Sequence, residues 1–251
     1  MKPLTEEKFI CIDVESTGLD LEKDRICEIA AVQFSLNEEF DAFESLIQPE
    51  VEIPQEVIDI HHITNEMCKD APKIETFLPR LKTMIDNHVI VGHGISFDIG
   101  MLKSAFQRAG LSHNFDKSRV IDTLRLARLY GESPSNSLEV LRRHFNVDEE
   151  GAHRAMNDVR VNIQVFKRLI RKFKSVKEIL ERLQAPILLK NMPLGKYKGR
   201  SFNEIPINYL IWASKQDYDA DLSFSIKEAI KKSKSKGGFL RANSPFSGLD
   251  F

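Results

Sequence analysis

The sequence predicts an α/β protein in which a mixed sheet is flanked by helices and followed by a small C-terminal module. Three strand-like apolar segments open the chain, and helical and strand-like patterns alternate after them. The composition changes near Pro186, the only proline between Pro134 and Pro193. The 251 residues are enough for one large domain and an appendage.

The first half of the chain supplies most of the predicted sheet. Short apolar segments predict strands at residues 9–14, 26–34 and 40–47. Apolar residues then recur every three or four positions, which predicts a helix over 73–87, and a strand-like segment follows at 88–91. A helix between two strands of one sheet indicates a crossover connection.

The second half supplies most of the helices that cover the sheet. A helix is predicted from 98 to 109, because Gly110 follows it as a stop signal, and a short strand follows at 120–121. Ser137 is available as the N-cap of one of the later helices. Those later helical patterns cover 123–130, 137–145, 155–173 and 176–184.

The patterns predict four consecutive parts of the chain. Residues 1–174 form the α/β domain, 175–191 a linker and 192–232 the small module. Residues 233–251 are rich in Ser, Lys, Gly and Asn, so we expect a disordered tail there.

The composition excludes several classes of protein. With 42% hydrophobic and 29% charged residues, the chain is neither intrinsically disordered nor a disulfide scaffold. Its three cysteines form no CxxC motif, so a bound metal would be held by oxygen or imidazole. No apolar stretch is long enough to span a bilayer and none resembles a signal peptide, so we expect a cytoplasmic protein without a membrane partner. Residues 186–251 carry a basic excess, which fits a polyanion partner or a solvated helix face.

Three short segments carry residues suited to catalysis. Asp13 and Glu15 lie two apart at the end of the most apolar strand, so both carboxylates share one face. Asp98 falls in the first turn of a predicted helix, and His153 precedes Asp158 at the start of another. Each segment alone has an ordinary alternative: a surface carboxylate pair, an acidic residue at a helix N-terminus, or a solvated histidine.

Taken together, the three segments resemble the motifs of the DEDDh (DnaQ-like) 3′→5′ exonucleases over about residues 8–172. The match comprises a D-x-E strand motif, an F-D strand–helix junction and an H-x4-D motif, represented by Asp13 and Glu15, Phe97 and Asp98, and His153 and Asp158. The resemblance implies a ribonuclease H-like fold and a relation to the polymerase III epsilon subunit and exonuclease X.

The resemblance also implies a metal-dependent phosphodiester hydrolysis. Two divalent cations, Mg²⁺ or Mn²⁺, would be held by Asp13 as the bridging ligand, Glu15 and Asp158 on the ion that holds the water, and Asp98 on the other ion. His153 would act as general base. The residues implied to contact the 3′-terminal nucleotide are Ser16, Thr17, Gly18, Leu19, His61 and Phe97.

Two positions depart from the family pattern. Gly94 stands where the family usually has asparagine, which removes a hydrogen-bonding side chain near the substrate. His62 stands where the family has glycine.

The small module resembles the C-terminal module of exonuclease-X-like proteins. The match consists of G-K-x-K-G at 195–199, Pro206, and Y-L-x-W at 209–212. In one alternative Tyr209 and Trp212 are simply the core of the module, and in the other the basic residues beside Tyr197 bind nucleic acid; the two are compatible. The candidate nucleic-acid contacts are Lys196, Tyr197, Lys198 and Arg200.

The segment 184–189 resembles a sliding-clamp-binding peptide, or is simply the first apolar segment of the module. A replicative polymerase and its clamp are therefore possible partners, beside nucleic-acid 3′ ends.

Three functions are consistent with the sequence. The first is a 3′→5′ exonuclease on single-stranded DNA ends, in repair or proofreading. The second is an RNA-trimming exoribonuclease of the oligoribonuclease or ribonuclease T type, since the same motifs serve RNA. The third is a non-catalytic protein that binds a polymerase or nucleic acid, against which the complete set of motif residues argues.

Overall fold

The computed structural model describes residues 2–86, 88–130, 135–147 and 154–242. The strands are β1 (Phe9–Ser16), β2 (Ile26–Phe34), β3 (Glu39–Leu46), β4 (Val89–Gly92) and β5 (Arg119–Asp122). Helices α1 to α5 are Gln55–His61, Asn65–Cys68, Leu78–Ile85, Ser96–Arg108 and Thr123–Tyr130. Helices α6 to α10 are Leu138–His144, Ala155–Leu169, Val176–Gln184, Ile207–Ala213 and Ala220–Ala242.

The strands form one mixed sheet in the order β3-β2-β1-β4-β5. The three strands β1, β2 and β3 are antiparallel neighbours, whereas β4 and β5 run parallel to β1. The predicted α/β fold with a mixed sheet flanked by helices is therefore confirmed. Because β1, β4 and β5 are parallel, their C-terminal ends lie at the same edge of the sheet.

The central strand β1 contributes to a core on each face of the sheet. Phe9 and Cys11 belong to the core under α7, whereas Ile10 and Ile12 belong to the core under α3 and α4. This alternation is the period of two that a strand imposes on its side chains. In the first core the rings of Phe9, Phe34 and Phe166 pack with centroids 5.1 to 5.9 Å apart.

The segment predicted as a linker at 175–191 is a structural part of the main domain. Its helix α8 buries Val176, Ile179 and Leu183 in the core under α7, and Ile187 follows them there. The sequence alone does not show that this segment packs against the core, because a short amphipathic helix next to a proline has the composition of a linker.

The C-terminal module has a separate small core between α9, α10 and the preceding loop. Its members are Met192, Phe202, Ile205, Leu210, Ala213, Leu222, Ile226 and Ala229. Helix α10 continues past residue 233, where the disordered tail was predicted to begin, and residues 243–251 of that tail lie outside the described residues. In the described part of the chain, no helix is long and apolar enough to cross a membrane.

Candidate active site

Asp13 and Glu15 continue one of the two side-chain faces of β1. They follow Phe9 and Cys11 at steps of two, so their carboxylates lie on the α7 side of the sheet. Asp158 stands in the first turn of α7 on that same side. One ligand oxygen from each of these three carboxylates lies within 4.8 Å of the others.

Asp98 approaches this cluster from α4, which starts after the C-terminal end of β4. The buried Asp98 carboxylate accepts a hydrogen bond from the backbone N–H of Val14 at 3.0 Å. Val14 lies between Asp13 and Glu15, so this bond fixes Asp98 against the stretch of β1 that carries both carboxylates. The structure therefore brings together the four carboxylates that the sequence motifs selected.

The cluster is electrostatically unfavourable while all four groups are charged. Burial, and then the neighbouring charges of Asp98 and Glu15, raise the pKa of Asp13 well above its usual range. Burial and the charge of Asp158 raise the pKa of Glu15 to about 7, and burial raises that of Asp98 to about 7. A site of carboxylate oxygens that repel one another fits divalent cations of the Mg²⁺ or Mn²⁺ type.

A fifth carboxylate, Glu28, was not selected by the sequence analysis. It lies opposite Glu15 in the register of β1 and β2 and is buried. Glu28 accepts hydrogen bonds from the Arg154 guanidinium at 2.6 and 2.9 Å and from the Ala155 backbone N–H at 2.9 Å. These bonds attach the start of α7 to β2.

The Glu28–Arg154 attachment positions the start of α7. It fixes the first turn of α7, which carries Asp158. Arg154 also directly follows His153, the predicted general base, which lies outside the described residues. The strand register that creates this attachment is not visible in the sequence, although an arginine directly after the motif histidine is a signal that a local anchor exists.

The turn after β1 contains four of the residues predicted to contact substrate. Ser16 Oγ donates to the Gly18 carbonyl at 2.7 Å, and Thr17 Oγ1 donates to Asp24 at 2.9 Å. These bonds stabilise the turn from within. Leu19 at its tip is 83% exposed, which leaves it free to contact a base.

His61 and Phe97 are the remaining two residues predicted to contact substrate. His61 is only 2% exposed, and its Nδ1 accepts the N–H of Ile63 at 3.0 Å. Burial lowers the pKa of His61, while a hydrogen bond with the backbone of Ser16 opposes that shift. His61 is thus a buried residue that supports the turn at Ser16. Phe97 is half-buried and packs against the core under α4.

Both departures from the family pattern occupy left-handed backbone. His62 has φ of 60° as the C-cap of α1, a position that glycine occupies at least cost. Gly94 has φ of 68°, and a side chain there would have its nearest neighbour, Leu124 Cδ2, at 3.8 Å. The backbone N–H of Gly94 donates to Asp122 at 2.9 Å. The fold at Gly94 therefore has room for a larger residue.

Comparison with protein families gives two matches. The family model RNase_T, described as "Exonuclease", matches residues 10–166. The family model QSregVF_b, described as "Putative quorum-sensing-regulated virulence factor", matches residues 179–222. The second match spans part of the predicted linker and most of the C-terminal module.

Among curated proteins, the chain is similar to DNA polymerases III of the PolC type. The polymerase of Clostridium perfringens is 30% identical over 196 residues, which cover 75% of this chain and 13% of that protein. The polymerase of Oceanobacillus iheyensis is 35% identical over 182 residues, which cover 72% of this chain and 12% of that protein. The chain thus corresponds to a small part of these relatives.

Among solved structures, the chain shares its fold with two DNA exonucleases. Exonuclease X in complex with 5′ overhanging duplex DNA superposes with a TM-score of 0.54 and 24% identity, covering 69% of this chain and 98% of that one. E. coli exonuclease I in complex with a dT13 oligonucleotide superposes with a TM-score of 0.61 and 19% identity, covering 71% of this chain and 42% of that one.

Proposed function

This chain belongs to the RNase_T exonuclease family, and we propose that it is a two-metal-dependent 3′→5′ exonuclease that releases 5′-mononucleotides from single-stranded DNA ends. The observation that carries the proposal is the convergence of Asp13, Glu15 and Asp158 on one small volume, with Asp98 fixed beside them. Carboxylates that repel one another in a water-accessible cluster are costly for the fold, so a catalytic use explains why they are placed together.

The four carboxylates divide between two cation positions in this proposal. Two divalent cations, when bound, supply a water of lowered pKa and offset the charge on the leaving 3′ oxygen. Asp13 is central in the cluster and is assigned to both positions. Glu15 and Asp158 are assigned to the position that holds the water, and Asp98 to the other.

His153 is assigned the role of general base, because its ordinary pKa lies near neutrality. It would take the proton of the attacking water as the water oxygen bonds to phosphorus and the P–O3′ bond breaks. The terminal nucleotide would leave with a 5′-phosphate, and the 3′ oxygen of the shortened strand would take a proton from solvent to become a hydroxyl. The hydrogen bonds of Glu28 with Arg154 and Ala155 hold the start of α7, the helix that carries Asp158.

The terminal nucleotide is proposed to bind at the turn after β1. The exposed Leu19 side chain offers an apolar face to the last base. A β-carbon at Gly18 would lie 2.4 Å from an oxygen of the Asp24 carboxylate, so this residue must be glycine for the turn to keep its hydrogen bonds. Backbone groups of the turn are then accessible to the sugar and phosphate.

Single-stranded DNA is the proposed substrate, in proofreading or repair. In support, the curated relatives named above are DNA polymerases, and the two solved neighbours named above are complexes with DNA. The 184–189 segment does not support docking to a sliding clamp, because Ile187 is buried in the main core and its N–H donates to Asp221. A polymerase partner is a proposal that the relatives' names alone support.

The test is a hydrolysis assay on 5′-labelled DNA and RNA of one sequence, with Mg²⁺, Mn²⁺ or EDTA. The proteins are the wild type, Asp13→Ala, and the control Asp116→Ala, which removes an exposed carboxylate paired only with Lys103. We expect a metal-dependent ladder that shortens from the 3′ end, retained in the control and absent in Asp13→Ala. Faster cleavage of RNA would overturn the DNA assignment, and no cleavage of either polymer would overturn the exonuclease.

A further inference from the structure

The only tryptophan of the chain, Trp212, lies on the surface of the C-terminal module. Trp212 is 51% exposed, so the alternative in which it belongs to the module core does not hold for this side chain. On helix α9 the buried positions are Leu210 and Ala213, so Trp212 lies outside the stripe that they define. A large aromatic side chain that the core does not use is a candidate for binding.

Trp212 is the outer member of a row of three aromatic rings. Its ring lies 5.2 Å from that of Tyr209, and Tyr209 lies 4.7 Å from Tyr197. Tyr197 and Tyr209 are half-buried against the module core, which holds the row in place. The row is therefore a fixed surface and not a set of independent side chains.

A basic loop borders this aromatic row. Residues 192–200 form a closed loop in which the Met192 N–H donates to the Arg200 carbonyl at 2.9 Å and the Gly199 N–H donates to the Met192 carbonyl at 2.8 Å. Left-handed backbone at Gly195, with φ of 72°, and at Gly199, with φ of 83°, makes the loop possible. The β-carbon missing from Gly195 would also meet the Tyr209 hydroxyl at 2.8 Å, so the loop packs directly on the row.

The cations of this loop are exposed and alternate along it. Lys196, Lys198 and Arg200 form no salt bridge with any described residue, and the loop itself contains no carboxylate. The Lys196 ammonium lies 5.7 Å from the centre of the Tyr197 ring. Positive charge next to exposed aromatic rings is the combination that single-stranded nucleic acids bind, through phosphates and stacked bases.

The loop also borders a cavity that reaches the exonuclease domain. This cavity of about 700 Å³ is lined by Lys198 and Gly199 on one side and by Leu124 and Asn136 on the other, with no carboxylate among its described lining residues. Leu124 follows the C-terminal end of β5. The C-terminal end of β5 lies at the same edge of the sheet as that of β1, the strand that carries Asp13 and Glu15.

We propose that the aromatic row and the basic loop of the C-terminal module bind single-stranded nucleic acid, with bases stacking on Trp212 and phosphates contacting Lys196, Lys198 and Arg200. The identity of the bound strand as the exonuclease substrate rests on the function proposed above. The surface would then hold the strand at a distance from its 3′ end and keep it bound between successive cleavages.

The binding test uses the fluorescence of Trp212, since no other tryptophan contributes. The full chain carrying Asp13→Ala is titrated in EDTA with single-stranded DNA, so that binding is measured without cleavage. We expect quenching that weakens as salt rises, with a slope of log K against log salt of about −2 for three phosphate contacts on a single strand. In the triple variant Lys196→Gln, Lys198→Gln, Arg200→Gln, the magnitude of this slope should decrease towards zero.

A second measurement separates stacking from folding of the module. By anisotropy of a labelled oligonucleotide, Trp212→Ala should bind at least about 5-fold more weakly, as expected for the loss of one stacked base. Trp212→Phe should recover most of that loss. If both variants bind as tightly as the wild type, the inference is wrong.

The hydrolysis assay distinguishes failure of this inference from failure of the proposed function. In otherwise unmodified protein, the triple variant should cleave a long oligonucleotide with a raised KM. Normal ladders without Trp212 quenching would overturn the inference and leave the exonuclease intact. Quenching without hydrolysis would keep the binding surface and overturn the exonuclease. A Trp212 signal that depends on protein concentration alone would assign the surface to a second copy of the chain and overturn the inference.

Discussion

Replacing Asp221 tests how the C-terminal module is attached to the exonuclease domain. The Asp221 side chain is buried and accepts hydrogen bonds from Arg125 at 2.9 and 3.0 Å and from Arg128 at 2.9 Å. It also accepts the Ile187 N–H at 2.9 Å. Arg125 and Arg128 belong to α5 of the main domain, whereas Asp221 belongs to α10 of the module, so one carboxylate joins the two parts.

The expected loss of stability in Asp221→Ala depends on the partners that Arg125 and Arg128 retain. Arg128 is almost fully buried and retains only Asp219 as a carboxylate partner, while Arg125 retains the Leu183 and Ala185 carbonyls. Removal of one partner from a buried ion pair costs about 3–5 kcal/mol, and we expect the free energy of unfolding to fall by that amount. Asp221→Asn should cost less, because its amide oxygen still accepts the Ile187 N–H.

The effect should depend on pH. Burial raises the pKa of Asp221, but the hydrogen bonds from Arg125, Ile187 and Arg128 outweigh it, so the net pKa lies below its usual value. A carboxyl with a lowered pKa stabilises the fold above the pKa of the unfolded state, which is about 3.9. That stabilisation is lost as the pH falls through the folded pKa, so wild type and Asp221→Ala should converge at acid pH.

The assay is urea unfolding at neutral and acid pH, followed by circular dichroism and by Trp212 fluorescence. The control is Asp217→Ala, which removes an exposed carboxylate of the same segment. We expect Asp221→Ala to shift the fluorescence transition to lower urea ahead of the circular dichroism transition, because the module detaches first. Equal stability of Asp221→Ala and Asp217→Ala would refute this account of the attachment.

Three further substitutions test the site. Asp98→Asn should abolish hydrolysis and should raise the melting temperature of the protein in EDTA above neutral pH. The raised pKa of Asp98 means that its charge opposes folding in that pH range. An unchanged melting temperature by calorimetry would contradict this prediction. His62→Gly should raise the free energy of unfolding by about 1 kcal/mol in urea titrations, because φ of 60° strains a residue with a β-carbon. A loss of stability would show that interactions of the imidazole compensate for the strain. Gly94→Asn should lower the free energy of unfolding by about 1 kcal/mol, because φ of 68° strains a residue with a β-carbon even though the nearest side chain leaves room. It should also lower the KM for oligonucleotides by restoring a hydrogen-bonding group, and a raised KM in steady-state kinetics would exclude that role.

The sequence predicted the sheet and the carboxylates for the same physical reason. A strand buried on both faces must be apolar along its length, so the end of that pattern in β1 made Asp13 and Glu15 conspicuous. Asp98 and Asp158 were each weak candidates as acidic residues in the first turn of a helix, and the resemblance of the three motifs, in their order, to those of the exonuclease family selected them. Their convergence is a consequence of topology, and the order of the motifs along the chain was sufficient to indicate it.

Glu28 could not be found in this way. Its position opposite Glu15 depends on the register between β1 and β2, and a shift of one residue would move it to the other face. Its partners, Arg154 and Ala155, are more than a hundred positions away in the sequence. Interactions that depend on strand register and on distant segments produce no periodic pattern in the sequence.

Trp212 shows why the sequence left two alternatives open for the aromatic residues of the module. Hydrophobicity favours a core position for Trp212, whereas helical spacing assigns Leu210 and Ala213 to the core, three positions apart. A module core built from Met192, aliphatic residues and Phe202 is closed without the largest side chain of the segment. Folding therefore does not explain a tryptophan at this position, which supports the proposed binding of a nucleic-acid strand at Trp212.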